Sequence, residues 1–252
     1  MTSHAADSTS SLDPTTDELD AADRKLGEPK PYTSSMENVT ALSSVIRERT
    51  REAHSSSEGA SFMSTLLRGE RTRDDYISLV AQHYFIYEAL EGATERMRHE
   101  PIAARFISDR LTRLPALEAD LSFLIGDNWR DRIAPLPATA RYAARIDQVG
   151  ATWVGGFVAH HYTRYLGDLS GGIHIGRVLK RQFDFDTNGI GFYLFGDIAD
   201  PSEFKNVYRE ELDAVPWDEV EKERVIAEVL TAYRFNTEVF EDLARECEAR
   251  IA

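Results

Sequence analysis

Residues 162–172 read Tyr162-Thr163-Arg164-Tyr165-Leu166-Gly167-Asp168-Leu169-Ser170-Gly171-Gly172. The segment lies within a run of helical periodicity. Trp153, Phe157, His160, His161 and Arg164 recur at helical spacing on one side, and Ile175, Val178, Leu179 and Gln182 on the other. An interior glycine costs a helix about 1 kcal/mol relative to alanine. Gly167, Gly171, Gly172 and Gly176 therefore need a reason. Close packing through small residues, or a break in the helix, is one. The other is a kinked helix lying flat against a large planar ligand, where missing side chains let the backbone approach. Asp168 adjoins the first glycine, and a carboxylate there is costly to bury without partners. It either faces solvent or joins a polar, water-bearing network.

Outward from this segment the pattern is helical throughout. Leu42, Val45 and Ile46 recur at helical spacing from about Val39. A long amphipathic helix is expected over Arg73–Arg98, opened by Asp74 and Asp75. Another is expected from Pro101, at a first-turn position, to about Ile125. Helices over about Ala138–Gln148, Pro201–Ala214 and Trp217–Ala249 follow, with a loop carrying Gly189, Gly191 and Gly196. No strand-like alternation exceeds four residues and no repeat occurs. The fold class is all-α, with a single multi-helix domain over 39–252. Residues 1–38 differ: they are rich in Ser, Thr, Asp and Pro, with eight acidic and three basic residues. Such a segment buries too little apolar surface to offset its ordering entropy, so a disordered acidic tail is expected.

The chain has 252 residues and a net charge of −14. That balance argues against nucleic acid and against anionic membrane as partners. The one cysteine, Cys247, rules out a disulfide within the chain and points to a cytoplasmic setting. No apolar run approaches the roughly 20 residues of a membrane span, and no secretory signal is read.

Residues 162–172 resemble the distal-helix signature of heme oxygenases, without a break over eleven residues. Three other segments resemble the same family, in its order and approximate spacing. Arg51-Glu52-Ala53-His54 followed by Phe62-Met63 is similar to its proximal helix. Tyr84-Phe85-Ile86-Tyr87-Glu88-Ala89-Leu90-Glu91 is similar to its second helix. Phe204-Lys205-Asn206-Val207-Tyr208-Arg209 is similar to the segment near the heme propionates. The resemblance runs from about Val39 to Ala249. It implies a heme held between a proximal helix and a kinked distal helix. It also implies oxidation of that heme to biliverdin, carbon monoxide and ferrous iron. Heme is then substrate and prosthetic group together, O2 is co-substrate, electrons come from a reductase or ferredoxin, and the protein works as a monomer.

Seven histidines compete for the iron: His4, His54, His83, His99, His160, His161 and His174. Arg47, Arg51 and His54 stand at i, i+4 and i+7, one helical face. That face reads equally as a solvated basic edge paired with Glu48 and Glu52. The resemblance selects His54 as the iron ligand. Glu58, at i+4 from it, is a candidate acceptor for its other ring nitrogen, and Met63 reads equally as a packing neighbour of the ring or as an ordinary core residue. The resemblance also assigns Asp168 as a proton-handling group acting through water, supported by Tyr87, Arg164 and Asn236. It places Gly167 and Gly171 against the heme face, and Arg47, Tyr162, Lys205 and Arg209, with Arg51 as a weaker member, on the propionates. Two departures stand out. The family often has Lys where Arg47 and Arg51 stand, and Ile173-His174-Ile175-Gly176 replaces a Gln-containing continuation; His174 is expected to face away from heme.

Three rivals stand beside this reading. A non-catalytic heme carrier would need no group such as Asp168. A thiol-dependent, thiamin-degrading hydrolase would want a core cysteine rather than Cys247. A di-iron bundle needs paired Glu-x-x-His motifs, and none is present.

Overall fold

The computed structural model describes residues 41–251, and the expectation for residues 1–38 lies outside them. All regular structure among the described residues is helical. The expected opening helix is two: α1 (Leu42–Arg49) and α2 (Arg51–Glu58), bent at Thr50, whose hydroxyl donates to the Ile46 carbonyl at 2.8 Å. A short α3 (Ser61–Leu67) follows.

Helix α4 (Arg73–Met97) starts where its residues dictate. The Thr72 hydroxyl accepts from the Asp75 amide at 3.2 Å, and the Asp75 carboxylate accepts from the Thr72 amide at 2.9 Å. This reciprocal cap contributes about 1 kcal/mol. Tyr76, Leu79, His83, Ile86, Tyr87, Leu90 and Ala93 form its buried face, packed chiefly against α5 (Leu114–Ile125) and α6 (Pro137–Thr152).

The helix expected from Pro101 to Ile125 is not one helix. Two single 3-10 turns, Ala103–Arg105 and Asp109–Leu111, precede α5. Pro115 in the first turn of α5 is the reason: its ring would collide with the Leu111 carbonyl in a continuous helix, and it has no amide to donate. The free amides of Arg113 and Leu114 both go to Glu91 Oε1 on α4. A long-range carboxylate thus sets the start of α5.

Beyond α6 the chain runs through α7 (Val154–Gly167), a π-turn (Asp168–Gly172) and α8 (Ile173–Phe183) without leaving helical backbone. The expected kink is this π-turn. Its glycines serve clearance rather than unusual dihedrals, since Gly167 and Gly172 have φ of −62° and −57°. A Cβ on Gly176 would lie 2.6 Å from the Tyr193 Cβ. A Cβ on Gly167 would meet nothing within 4 Å, because that side is open. Helices α9 (Pro201–Asp213) and α10 (Glu219–Ile251) complete the fold. Helix α10 begins two residues later than expected, where the Asp218 carboxylate accepts the Glu221 amide at 2.8 Å.

The arrangement around α10 produces the cleft. Helices α2, α3, α6 and α7 all pack on α10, whereas α2 and α7 contact each other little. Two helices leaning on a common third, and held apart, leave a slot between them.

Candidate functional site

The slot has two lobes. The inner one, about 340 Å3, lies between α2–α3 and the α7–π-turn–α8 segment, with mainly apolar walls that include Met63, Leu67, Ile175, Phe192 and Phe240. The outer one, about 750 Å3, opens under α1 and α2 and includes Arg47, Arg51 and Arg209. Both volumes fall in the range of small-molecule sites. His54, Thr163, Gly167 and Tyr233 line both lobes, so the lobes are one cleft. His54 from the proximal wall and Gly167 from the distal wall meet the same space, and the His54 ring packs edge-on against Tyr233 at 5.5 Å.

Behind the distal wall lies a buried polar chain. The Tyr87 hydroxyl donates to Asp168 Oδ2 in a short hydrogen bond. Arg164 Nε donates to the Tyr87 hydroxyl at 3.3 Å, and Arg164 Nη1 donates to Asn236 Oδ1 at 2.9 Å. The guanidinium also lies 5.0 Å from the Tyr87 ring centroid, over its face. Tyr87, Arg164, Asp168 and Asn236 therefore form one connected group, as expected. Burial raises the Asp168 carboxyl above the usual aspartate range, opposed by the Arg164 charge and the Tyr87 hydrogen bond. Burial lifts the Tyr87 hydroxyl well above its ordinary value too. The Arg164 guanidinium is held above its ordinary value: burial opposes this, and the neighbouring Tyr87 and Asp168 outweigh it. The chain thus contains a carboxyl that keeps a proton more readily than a solvated one, joined to a fixed cation.

The outer lobe gathers most of the expected propionate group. Arg47, Arg51, Tyr162 and Arg209 all line it. Lys205 does not: its ammonium is tied to Ser170 Oγ at 2.9 Å and to the Leu169 carbonyl at 3.4 Å, fastening α9 to the π-turn. Ser170 does line the outer lobe, so Lys205 stands one residue behind it. Gly171 and Met63 line the inner lobe. The expectation for the Glu58 side chain lies outside the described residues.

His174 is a correction. It does not turn away: although exposed, it lines the inner lobe. Gly167, Gly171 and His174 stand at i, i+4 and i+7, and this spacing, overlooked in reading the segment for its glycines, puts all three on one face. Cys247 lines neither lobe. It is buried beside Arg250, which donates to its Sγ at 3.1 Å.

Several cavity residues escaped the sequence reading. His83 stands four residues before Tyr87, on the same face of α4, and that spacing could have found it. Phe192 and Tyr193 come from the glycine-bearing loop, for which nothing local gives a position. Asp120 supplies it: its carboxylate accepts the amides of Gly189, Gly191 and Phe192 at 2.8, 2.9 and 2.9 Å, pinning the loop against the cavity.

A heme fits these residues. The His54 imidazole lines the same space as Gly167, a glycine with no neighbour at its Cβ position. The inner lobe is mostly apolar and the outer one carries three guanidinium groups, matching a macrocycle with two carboxylates at one edge. Among the described residues, no three His, Cys, Asp or Glu side chains are grouped to hold a bare metal ion.

Comparison with known proteins agrees. A family model described as heme oxygenase matches residues 40–242. Human heme oxygenase 1 is 38% identical over 205 residues, covering 80% of this chain and 71% of that protein. Heme oxygenase 1 of the cyanobacterium Synechocystis sp. is 37% identical over 202 residues, covering 80% and 84%. The crystal structure of heme oxygenase-1 from Synechocystis sp. in complex with heme superposes with a TM-score of 0.77 at 34% identity, over 84% of this chain and 97% of that one. The heme oxygenase structure from Leptospira interrogans gives 0.75 at 33% identity, over 79% and 98%. A cleft built between two helices held apart by a third, an imidazole from one wall and a glycine from the other lining the same space, and a match over most of the chain lead to one conclusion: the chain belongs to the heme oxygenase family.

Proposed function

We propose that this chain binds heme in the cleft and degrades it oxidatively to biliverdin, carbon monoxide and ferrous iron, with O2 as co-substrate and electrons from a reductase or ferredoxin. The single observation that carries the reading is the buried Asp168–Tyr87–Arg164–Asn236 chain, set directly behind glycines that face His54 across the cleft.

Heme, when bound, supplies the iron that activates O2 and the porphyrin edge that is oxidised. The protein's own residues bind, orient and move protons. His54 is the iron ligand in this reading, a neutral imidazole rather than a strongly donating thiolate. Gly167 and Gly171 present backbone, and the clearance at the Gly167 Cβ position would leave room for the macrocycle beside the distal helix. Arg47, Arg51 and Arg209, with Tyr162, would hold the two propionates, and fixing that edge would select which meso carbon is presented to the distal residues. Lys205 acts by anchoring the π-turn through Ser170. Asp168 holds a proton at its carboxyl and passes it through ordered water, while Tyr87 and Arg164 fix that carboxyl in place.

A carrier has no need of a buried carboxyl raised towards protonation beside its ligand, whereas a proton-delivering oxygenase does. A cytoplasmic, monomeric protein is proposed with this chemistry. The buried, hydrogen-bonded Cys247 supports a reducing setting, and no helix among the described residues is long and apolar enough to cross a membrane. The test is incubation with hemin, NADPH and a reductase. Loss of the heme absorption band with growth of biliverdin, identified by chromatography, is expected; a stable heme band would make the protein a carrier. His54→Ala should lose the axial bond of the ferric complex, and an unchanged spectrum and turnover in that variant would refute the ligand assignment.

A further inference from the structure

The distal polar chain has a neighbour that the reading above leaves without a task. His83 lies on α4, one turn before Tyr87, and lines the inner lobe together with Arg164 and Asp168. Its ring meets Tyr87 edge-on at 6.4 Å and packs on Phe192 at 4.8 Å. It is buried, and its Nδ1 is sealed from solvent without a hydrogen-bond partner. A second polar atom of the same lobe, the Tyr193 hydroxyl, is likewise sealed and unpartnered. Buried polar atoms normally find partners, and two such exceptions beside one carboxyl call for an explanation.

The sealed nitrogen settles the tautomer. Burial, aided by the Arg164 charge, drives the His83 imidazole well below its ordinary value, so it is neutral and carries one N–H. A buried N–H without an acceptor is rarer and more costly than a bare acceptor without a donor. The proton therefore belongs on Nε2, the nitrogen that is not sealed, and Nδ1 stays bare. Resting on the heme-degrading reading, we propose that His83 is a positioning residue, whose Nε2–H donates into the inner lobe and holds the water through which Asp168 communicates with that lobe. A structural water needs two to four polar partners. Here Asp168 accepts and His83 donates, which supplies two. An apolar side chain in place of His83 would suit the mostly apolar wall better in every respect except this one.

Two measurements test the proposal. In the 15N spectrum of heme-free, full-length protein with labelled histidine, signals lost in His83→Gln identify His83. The expected result at neutral pH is a neutral ring protonated at Nε2. A ring protonated at Nδ1, or an imidazolium, would overturn the proposal whether or not the protein degrades heme. In heme turnover, His83→Leu should lower kcat about fivefold, the rate equivalent of one neutral hydrogen bond, with KM changed less than about twofold. His83→Gln, whose amide N–H reaches a similar point, should recover most of the loss. A leucine variant as fast as wild type, or a glutamine variant as slow as leucine, would equally overturn it. Absence of turnover in the wild-type protein would instead defeat the functional reading, leaving the tautomer to judge His83. Thermal melts of both variants show whether a loss reflects folding, and the glutamine variant keeps the comparison informative if leucine unfolds.

Discussion

Replacing Asp168 separates its chemical role from its structural one. In Asp168→Asn the side chain keeps its shape and an acceptor oxygen for the Tyr87 hydroxyl, but loses the ionisable proton. In Asp168→Ala the buried Tyr87 hydroxyl also loses its acceptor. An orphaned buried donor costs about 1–3 kcal/mol. For a domain of this size each kcal/mol moves the Tm by about 2–4 °C. The heme-free alanine variant should therefore melt several degrees below wild type, and the asparagine variant close to it. Turnover should fall in both by about 10²–10⁴-fold, the usual contribution of a positioned proton donor, with heme affinity little changed because Asp168 does not touch the propionates. pH adds a further arm. The folded-state Asp168 is raised by burial, so its contribution to stability is fully present below the unfolded aspartate range and is lost as pH rises through the folded value. The asparagine variant lacks this loss, so its Tm should rise relative to wild type as pH rises above about 4, the unfolded aspartate value. Calorimetry on heme-free protein, heme titration and single-turnover product analysis together read all of this. An asparagine variant with wild-type turnover would refute the assignment of Asp168 as the proton-handling group.

Two further perturbations probe the cleft and the core. Gly167→Leu places a side chain where no atom lies within 4 Å of the new Cβ; relieving a helical glycine should raise the Tm of heme-free protein slightly, while heme affinity falls at least about tenfold as the cleft fills. Unchanged heme affinity would show that the macrocycle does not lie against Gly167. Glu228 accepts two hydrogen bonds from Arg145, at 2.8 and 2.6 Å, and contacts His160 Nε2 at 2.8 Å. Burial alone would raise its carboxyl, but these partners hold it at about 2. A depressed carboxylate contributes stability above its unfolded value that is lost as pH falls towards the folded one. Glu228→Gln should therefore lose less Tm than wild type between about pH 5 and pH 3; an identical acid slope in urea or thermal melts would count against it.

The helical class and the distal segment were readable because periodicity and motif are local properties. Positions i, i+4 and i+7 share a face wherever the chain stays helical, which is why Arg47, Arg51 and His54 reach one cleft even across the bend at Thr50. The Pro101–Ile125 expectation failed for an equally physical reason. Pro101 suits a helix start, but Pro115 interrupts any helix continuing from it, and Glu91 on another helix sets where α5 begins. His174 reaches the inner lobe because it stands seven residues beyond Gly167 on the same helical face.

Sequence alone was enough to establish the all-α class and the family resemblance, and to propose the proximal and distal segments and Asp168 as the distal acid. What it left open was distance. Helices α2 and α7 face each other across empty space because both pack on α10, a relation no window of residues contains. Lys205 turned to the π-turn rather than to the outer lobe because Ser170 and a free carbonyl lay within its reach. The loop carrying Phe192 and Tyr193 reached the cavity because Asp120, about seventy residues earlier, takes three of its amides. Burial decided the rest. Asp168 and His83 are ordinary side chains in the sequence. Tertiary packing removes water from both, which raises the Asp168 carboxyl against the pull of the Arg164 charge and lowers the His83 imidazole with its help.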